Sequence, residues 1–340
     1  MTLRIFNTMD NQELHDAWLS MERNSSPFLF YDYILNIWKY VKYFSFYFPR
    51  IVCVVSTKRE ILMIVPLRWD AVKRRYKMLA DLQGCSHTDA LFSHSLSEDE
   101  KKRCVDFFFK NIGYECKFKR ILSDSPLLRL SQEAAVNAKD SDCVKIDFQG
   151  GVDNLIKGLS KSVRQNIRTA YNRMKRDEIE FELVIYDISN PIGADSWNRL
   201  MGIYLDRLFA KYKKSRLGPI YKYTHSLKYR YVKHDTKSLR HLPNSFHAVL
   251  MTNGDIMSFL SAFMSHGKNE LMVPRLCIND KYSFYSPGYI LLVETLHYLE
   301  TNGACRVMDL CRGSEKYKMD MGGQIYYTAS IDYKPINNRK

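Results

Sequence analysis

The tripeptide Ser286-Pro287-Gly288 constrains this chain more than any other short stretch. Ser286 can cap a helix, Pro287 suits the first helical position because its missing N–H would be unpaired there anyway, and Gly288 leaves room beside the backbone. A helix therefore starts here with its amides uncovered. Leu292, Leu296 and Leu299 recur at helical spacing behind it, Gly303 ends the run, and Ala304 to Leu310 reads as a strand. The N–H groups of Gly288, Tyr289 and Ile290, with the positive end of the helix dipole, make a seat for a phosphate or pyrophosphate. An exposed dipole contact contributes only about 0.3–1 kcal/mol, so amide hydrogen bonds would carry much of the binding. The plainer alternative is ordinary helix-start chemistry with no ligand.

What precedes this helix is strand-like. Asn253-Gly254 lies between two apolar runs, Phe246 to Met251 and Ile256 to Met264, the strongest short-range signal for a hairpin. A further strand, Glu270 to Leu276, leads into the Ser-Pro-Gly turn. Upstream, Asn154 to Arg176 reads as one long basic helical region, Glu180 to Tyr186 as a strand, and two helices cover roughly Ser196 to Tyr212 and Gly218 to Lys237.

The first part of the chain repeats this order more loosely. Helices are expected over Asn11 to Met21 and Tyr31 to Tyr43, a hairpin over Arg50 to Trp69, and a third strand near Tyr76 to Leu82. A helix over Ser97 to Asn111 has Ser97 as cap and Glu100 completing a capping box, and Cys116 to Leu122 follows as a strand. Ser131 to Asp142 is polar and small and reads as the seam. At 340 residues the chain exceeds the roughly 250–300 at which one core usually stops growing. The expected division is 1–140 and 141–340, a duplicated α/β (α+β) fold of two lobes, each a mixed, mainly antiparallel sheet flanked by helices. Only the second copy keeps Ser-Pro-Gly, so the first reads as degenerate.

Charge and cysteine usage narrow the partners. Fifty-one Lys and Arg against 37 Asp and Glu give a net charge of +14, which suits a polyanion: nucleic acid, a phosphorylated cofactor or an anionic surface. The eight cysteines form no Cys-x-x-Cys pair and follow no secretory leader, so reduced, buried thiols in a cytoplasmic protein are expected. Nothing has zinc-ligand spacing, and no metal is expected. The most apolar segment, Phe28 to Val55, is interrupted by Asp32, Lys39, Lys42 and Arg50, short of the ~20 residues an integral membrane helix needs.

Four stretches together resemble a known family. They are Val65-Pro66-Leu67-Arg68 followed by Gly84 and Asp89; Leu159 to Arg168; Ser286-Pro287-Gly288; and Met308-Asp309-Leu310-Cys311-Arg312-Gly313-Ser314-Glu315-Lys316-Tyr317-Lys318. In this order they resemble the CelD-like branch of the GNAT acyltransferases, related to the FemABX peptidyltransferases, whose members carry two GNAT-like lobes. The general GNAT acyl-CoA loop, Arg/Gln-x-x-Gly-x-Gly/Ala, is absent, and Ser286-Pro287-Gly288-Tyr289 holds its place. The resemblance implies an acyltransferase that moves an acetyl or other acyl group from acyl-CoA to an amine or hydroxyl, the acceptor being a small, sugar-type precursor of a cell-surface polymer. An aminoacyl-tRNA donor, or a nucleic-acid-binding protein without catalysis, are the alternatives.

Acyl transfer needs the donor's phosphates anchored, the nucleophile deprotonated and the leaving thiolate protonated. Ser286, Pro287, Gly288, Tyr289 and Ile290 are the expected cofactor-binding residues for acetyl-CoA. Strand alternation sets Asp309 apart from Met308 and Leu310, so this carboxylate interrupts an apolar strand and needs a partner, for which Arg312 and Lys318 are candidates. It could position or deprotonate the acceptor, or simply close the strand end as an ion pair. Tyr317 and Tyr285 could protonate the thiolate, since a phenol of pKa about 10 matches a CoA thiol, although in a chain with 23 tyrosines packing is the commoner role. Lys318 could steady developing charge or be a solvated surface residue, and His266 is a weaker candidate base. Lys157, Lys161, Arg164, Arg168, Arg173, Lys175 and Arg176 gather on one side of their helix. A solvated face is the usual fate of such a run; the family likeness makes Arg164, Asn166 and Arg168, with Arg312, candidates for binding an anionic acceptor.

Overall fold

The computed structural model describes residues 1–23, 25–44, 47–81, 85–131, 134–213, 240, 242–265 and 269–335. The chain begins β1 (Thr2–Phe6), α1 (Gln12–Glu22), α2 (Tyr31–Phe44), β2 (Tyr47–Val55), β3 (Ile61–Asp70), β4 (Arg75–Met78) and β5 (Leu91–Phe92). It continues α3 (Glu98–Asn111), β6 (Glu115–Leu122), α4 (Pro126–Arg129), β7 (Ala135–Asp147), α5 (Val152–Gly158), α6 (Lys161–Arg176), β8 (Glu182–Tyr186) and α7 (Ala194–Lys213). Last come β9 (Ser245–Thr252), β10 (Asp255–Ser265), β11 (Glu270–Ile278), α8 (Pro287–Thr301), β12 (Val307–Arg312), α9 (Lys316–Asp320) and β13 (Gln324–Tyr333).

Two compact units divide the chain: Met1–Cys143 together with the residues from Tyr326 onward, and Val144–Ile325. The boundary therefore falls inside β7 and again inside β13. In the first unit β1, β2, β3 and β4 form an antiparallel meander, β4 runs parallel to β6, and β6 pairs antiparallel with β13. Its core gathers Val52, Val54, Val65 and Leu67 of the hairpin with Phe108 and Phe109 of α3, Phe118 of β6 and Tyr333 of β13. The α3 start carries the expected capping box, Ser97 accepting from the Glu100 amide while the Glu100 carboxylate accepts from that of Ser97.

In the second unit β8, β9, β10 and β11 are antiparallel and β12 joins β11 in parallel. Asn253 and Gly254, with φ of +46° and +74°, make the two-residue turn between β9 and β10 that their sequence demands. One face of this sheet is covered by α6 and α8: Val163, Ile167, Ala170 and Met174 form the buried stripe of α6, and Ile290, Leu291, Val293, Leu296 and Leu299 belong to α8. Each of these side chains except Ala170 contributes about 1.5–3 kcal/mol over remaining exposed. Gly303, at φ +60°, ends α8, with the Ala304 amide reaching back to the Leu299 carbonyl as a left-handed cap requires. Each unit is thus a mixed, mainly antiparallel sheet flanked by helices, the two-lobed α+β arrangement expected from the sequence.

Several local expectations need correction. The polar seam at 131–142 is largely strand: β7 starts at Ala135, and its first five residues are exposed, so no apolar alternation announces it. The single basic helix is two, α5 and α6, parted at Leu159–Ser160 where Ser160 turns to extended backbone and caps α6 through the Val163 amide. The expected helix at Gly218 to Lys237, and Leu82, Gly84 and His266, lie outside the described residues. All eight cysteines are free and buried. Among the described residues no helix is long and apolar enough to cross a membrane, and no group of three or more His, Cys, Asp or Glu could hold a metal.

Candidate active site

The β11–β12 pair forks. Its ladder runs Glu270↔Val307, Leu271↔Met308 and Met272↔Asp309 and ends there, while β11 continues to Ile278 on the side of β10. A bulge falls at the same level, since Ser261 pairs with Arg275 but Phe263 with Met272. Bulges bend a strand and end pairing locally, which accounts for the parting. Strand geometry turns alternate backbone groups of β11 beyond Met272 toward the opening. A 3₁₀ segment, Asp280–Tyr285, then carries the chain from β11 into α8.

The helix start differs in detail from the sequence expectation. Ser286 is the residue before α8, but it takes the left-handed conformation, φ +50° and ψ +49°, and its side chain makes no capping bond. Its carbonyl accepts the Tyr289 amide at 3.1 Å, so of the three amides proposed as an anion seat that of Tyr289 is already engaged. Pro287 is fixed by the buried Ser258 hydroxyl, which donates to the Pro287 carbonyl at 3.0 Å. A Cβ on Gly288 would lie 3.2 Å from Ile278 Cγ2, so this glycine lets α8 pack closely on the end of β11. Ile290 is fully buried in the core.

Asp309 is also fully buried. Met308 and Leu310 enter the core beneath α8, so alternation puts the carboxylate on the other face of the sheet. Its Oδ1 accepts the Cys311 amide at 2.7 Å. Lys318 is not the expected counter-ion, nor a solvated surface residue: its side chain is only 5% exposed, and Nζ donates to the carbonyls of Arg312 and Gly313, both at 2.9 Å, and pairs with Glu315 Oε2 at 2.9 Å. Arg312 is exposed and contributes that carbonyl.

The acidity argument for the tyrosines does not survive the geometry. Tyr317 packs against the core, and burial, with Glu315 nearby, pushes its phenol well above 10, away from a match to a thiol. Tyr285 donates to Asp177 Oδ2 at 3.0 Å, which together with partial burial also raises it. Tyr289 donates to Asp320 Oδ2 at 3.0 Å and is pushed up to about 12, by burial first and by that carboxylate second. Lys316 in turn holds Asp320 at 2.7 Å, so Tyr289 ties α8 to α9.

The cations of α6 fall into two groups. At its C-terminal end Arg173 donates to the Phe284 carbonyl at 2.6 Å and stacks over the Phe284 ring, and Arg176 pairs with Asp177, the partner of Tyr285. This end therefore meets the segment leading into α8. Arg164 lies nine residues before Arg173, roughly 13 Å back along the helix at 1.5 Å per residue, and donates to the Lys157 carbonyl at 2.8 Å. Arg164, Asn166 and Arg168 are all exposed, and they lie nine, seven and five residues before Arg173 along α6.

Two features near the fork were not foreseen. Arg207 of α7 donates to the Ile278 carbonyl at 3.1 Å and lies 3.7 Å from Asp280, fixing the end of β11. On the Asp309 face, His247, Ser261 and Arg275 stand in register across β9, β10 and β11, one row from the Ser245–Phe263–Met272–Asp309 row. All three are buried, with Trp197 edge-on to His247 and the Arg275 guanidinium over the Tyr204 ring. Polar residues at the inward positions of otherwise apolar strands were the available signal.

Residues 161–319 match the family model described as an acetyltransferase (GNAT) domain. No curated protein sequence matches the chain. Among solved structures, the C-terminal DUF2156 domain of an Agrobacterium fabrum protein assigned as a lysylphosphatidylglycerol synthetase is similar, with 12% identity, coverage of 93% of this chain and 90% of that one, and a TM-score of 0.57. A conserved protein of unknown function from Bacteroides thetaiotaomicron is similar at 11% identity, covering 98% of this chain and all of that one, with a TM-score of 0.58. L-PGS from Bacillus licheniformis follows at 13% identity, 86% and 85% coverage and a TM-score of 0.52. At these identities the structures speak for the fold alone. Taken with the forked strands and the helix that opens beside them, the match makes residues 161–319 a GNAT acetyltransferase domain of the CelD-like family.

Proposed function

We propose that the chain transfers an acetyl or other acyl group from acyl-CoA to an amine or hydroxyl of a small acceptor, the CelD-like resemblance pointing to a sugar-type precursor of a cell-surface polymer. The observation that carries the proposal is the fork: β11 parts from β12 after Met272 and Asp309, and α8 opens at the end of β11. An extended, amide-bearing chain such as pantetheine could add along β11 as a strand would, with its phosphates toward the start of α8. Ser286 and Gly288 would then border the pyrophosphate, and Arg173, held on the Phe284 carbonyl, would be a cation beside that end. Acyl transfer in such a fork draws chiefly on proximity: the acceptor nitrogen or oxygen attacks the thioester carbon, the C–S bond breaks, and the thiolate takes up a proton. The raised phenol of Tyr317 stays protonated at neutral pH, which suits hydrogen bonding to sulfur better than complete proton donation, whereas the Tyr285 hydroxyl is already given to Asp177.

A second donor class, aminoacyl-tRNA, draws support from the net charge of +14 and from the basic residues of α5 and α6, where Lys157, Lys161, Arg164 and Arg168 are exposed. Calorimetric titration with acetyl-CoA, and in parallel with bulk tRNA at two salt concentrations, separates the two. Saturable one-to-one binding of acetyl-CoA is expected, weakened at least about tenfold by Gly288→Glu, whose carboxylate would stand where the phosphates are held. Gly288→Ala controls for the contact with Ile278. Unchanged affinity in Gly288→Glu refutes the phosphate seat, and tight, salt-sensitive tRNA binding without acetyl-CoA binding replaces the donor.

A further inference from the structure

Cys311 and Gly313, two residues apart where β12 ends, both have φ in the left-handed region, +58° and +96°. For glycine this is free, whereas for cysteine it costs about 1–2 kcal/mol, so something must hold the chain there. Asp309 does so from one side, its Oδ1 accepting the Cys311 amide at 2.7 Å. Lys318 does so from the other: its ammonium bonds the carbonyls of Arg312 and Gly313, one on each side of the Gly313 Cα, and pairs with Glu315. An ammonium has three donors, and here three oxygens lie at 2.9 Å.

The next turn completes the closure. The Gly323 amide donates to the Lys318 carbonyl at 3.1 Å, and a Cβ on Gly323 would lie 2.5 Å from that oxygen. Asp309, Gly313, Glu315, Lys318 and Gly323 thus form one buckle that bends the chain sharply as it leaves the fork. Within the segment that sequence alone marks for proton transfer, Asp309 Oδ1 and the Lys318 ammonium hold backbone atoms of the segment itself.

We infer that Asp309 and Lys318 are positioning residues, which set the left-handed bend at Cys311–Gly313 and with it the width of the fork, and that Asp309 is not the base. The inference rests on the fork being the donor site. Asparagine keeps an Oδ1 that can accept the Cys311 amide, whereas alanine does not. The test uses the full chain as wild type, Asp309→Asn, Asp309→Ala, Lys318→Arg and Lys318→Met. Amide hydrogen exchange is followed across residues 309–318, and thiol release from acetyl-CoA across pH with water as the nucleophile that takes the acetyl group.

Asp309→Asn should keep wild-type exchange protection, turnover within about threefold and an unshifted pH profile, while Asp309→Ala and Lys318→Met should exchange at least about tenfold faster over this segment. A base predicts instead that Asp309→Asn, with protection intact, loses about 10²–10⁴-fold in turnover along with one limb of the pH profile, and that result overturns the inference. If Asp309→Ala does not fold, Asp309→Asn against wild type decides alone. Failure of wild type to bind acetyl-CoA would remove the donor reading, and the exchange comparison would still decide the buckle: equal protection in wild type, Asp309→Asn and Asp309→Ala overturns it.

Discussion

A single methyl group at Gly323 should unfold the second unit at a markedly lower temperature. The Cβ of an alanine there would fall 2.3 Å from Val144 Cγ1 and 2.5 Å from the Lys318 carbonyl oxygen, against the roughly 3.4 Å of ordinary contact. Relief needs a shift of about 1 Å on both sides, and the second neighbour is backbone that already accepts the Gly323 amide. Overpacking of this kind costs typically about 1–3 kcal/mol, and the rigid carbonyl places Gly323→Ala near the upper end, about 3 kcal/mol. For a unit of this size that is a fall in melting temperature of roughly 6–12 °C.

The control is the same chemical change at Gly202, inside α7, where nothing lies within 4 Å of the added Cβ. Gly202→Ala should raise stability by about 0.5–1 kcal/mol, because alanine loses less backbone freedom in a helix. Calorimetric melting of the two variants beside wild type checks both signs. If Gly323→Ala melts within about 2 °C of wild type, under 1 kcal/mol on the same scale, the close passage of the chain over α9 is not as described.

Two further outcomes follow from the first unit. Burial, with Asp32 nearby, pushes the Glu22 carboxyl up to about 7 although it accepts the Tyr31 amide at 2.6 Å. A carboxyl raised in the folded state stabilises fully below its unfolded pKa near 4.3, and that contribution is lost as pH rises through about 7. Glu22→Gln should therefore gain on wild type between pH 5 and pH 8, and a pH-independent difference in melting temperature would show that Glu22 is not held protonated. Ser97→Ala removes the capping box of α3 and should cost about 1 kcal/mol in urea unfolding, with a loss under about 0.3 kcal/mol counting against the cap.

What the sequence disclosed was local. The Asn253-Gly254 turn, the Ser97 box and the Pro287 helix start are each written in adjacent residues whose backbone preferences admit few alternatives. The first half of β7 escaped notice because exposed strand residues need no apolar alternation, and β13 pairs with β6 some two hundred residues upstream, which no local pattern records. At the site, the motif from Asp309 to Lys318 stood out but its role did not. The partners of these two side chains include backbone atoms of Cys311, Arg312 and Gly313, and a cysteine with left-handed backbone has no compositional signature. The meeting of Arg173 with Phe284 depends on how α6 packs, so the cation that meets this segment could not be told from the others of the helix.

The path of the chain through its two units governs the order in which they can mature. The first unit is not complete when its first 143 residues have been made, because Ile331 and Tyr333 belong to its core and β13 covers the edge of β6. On the ribosome, at about 5–20 residues per second, that edge and the place of Tyr333 against Phe109 wait until all of the second unit has been synthesised. The nascent N-terminal sheet thus spends seconds with an unpaired strand that invites pairing with other chains. Folding can close first in the later-made unit, and the earlier-made one is finished by the strand that follows it.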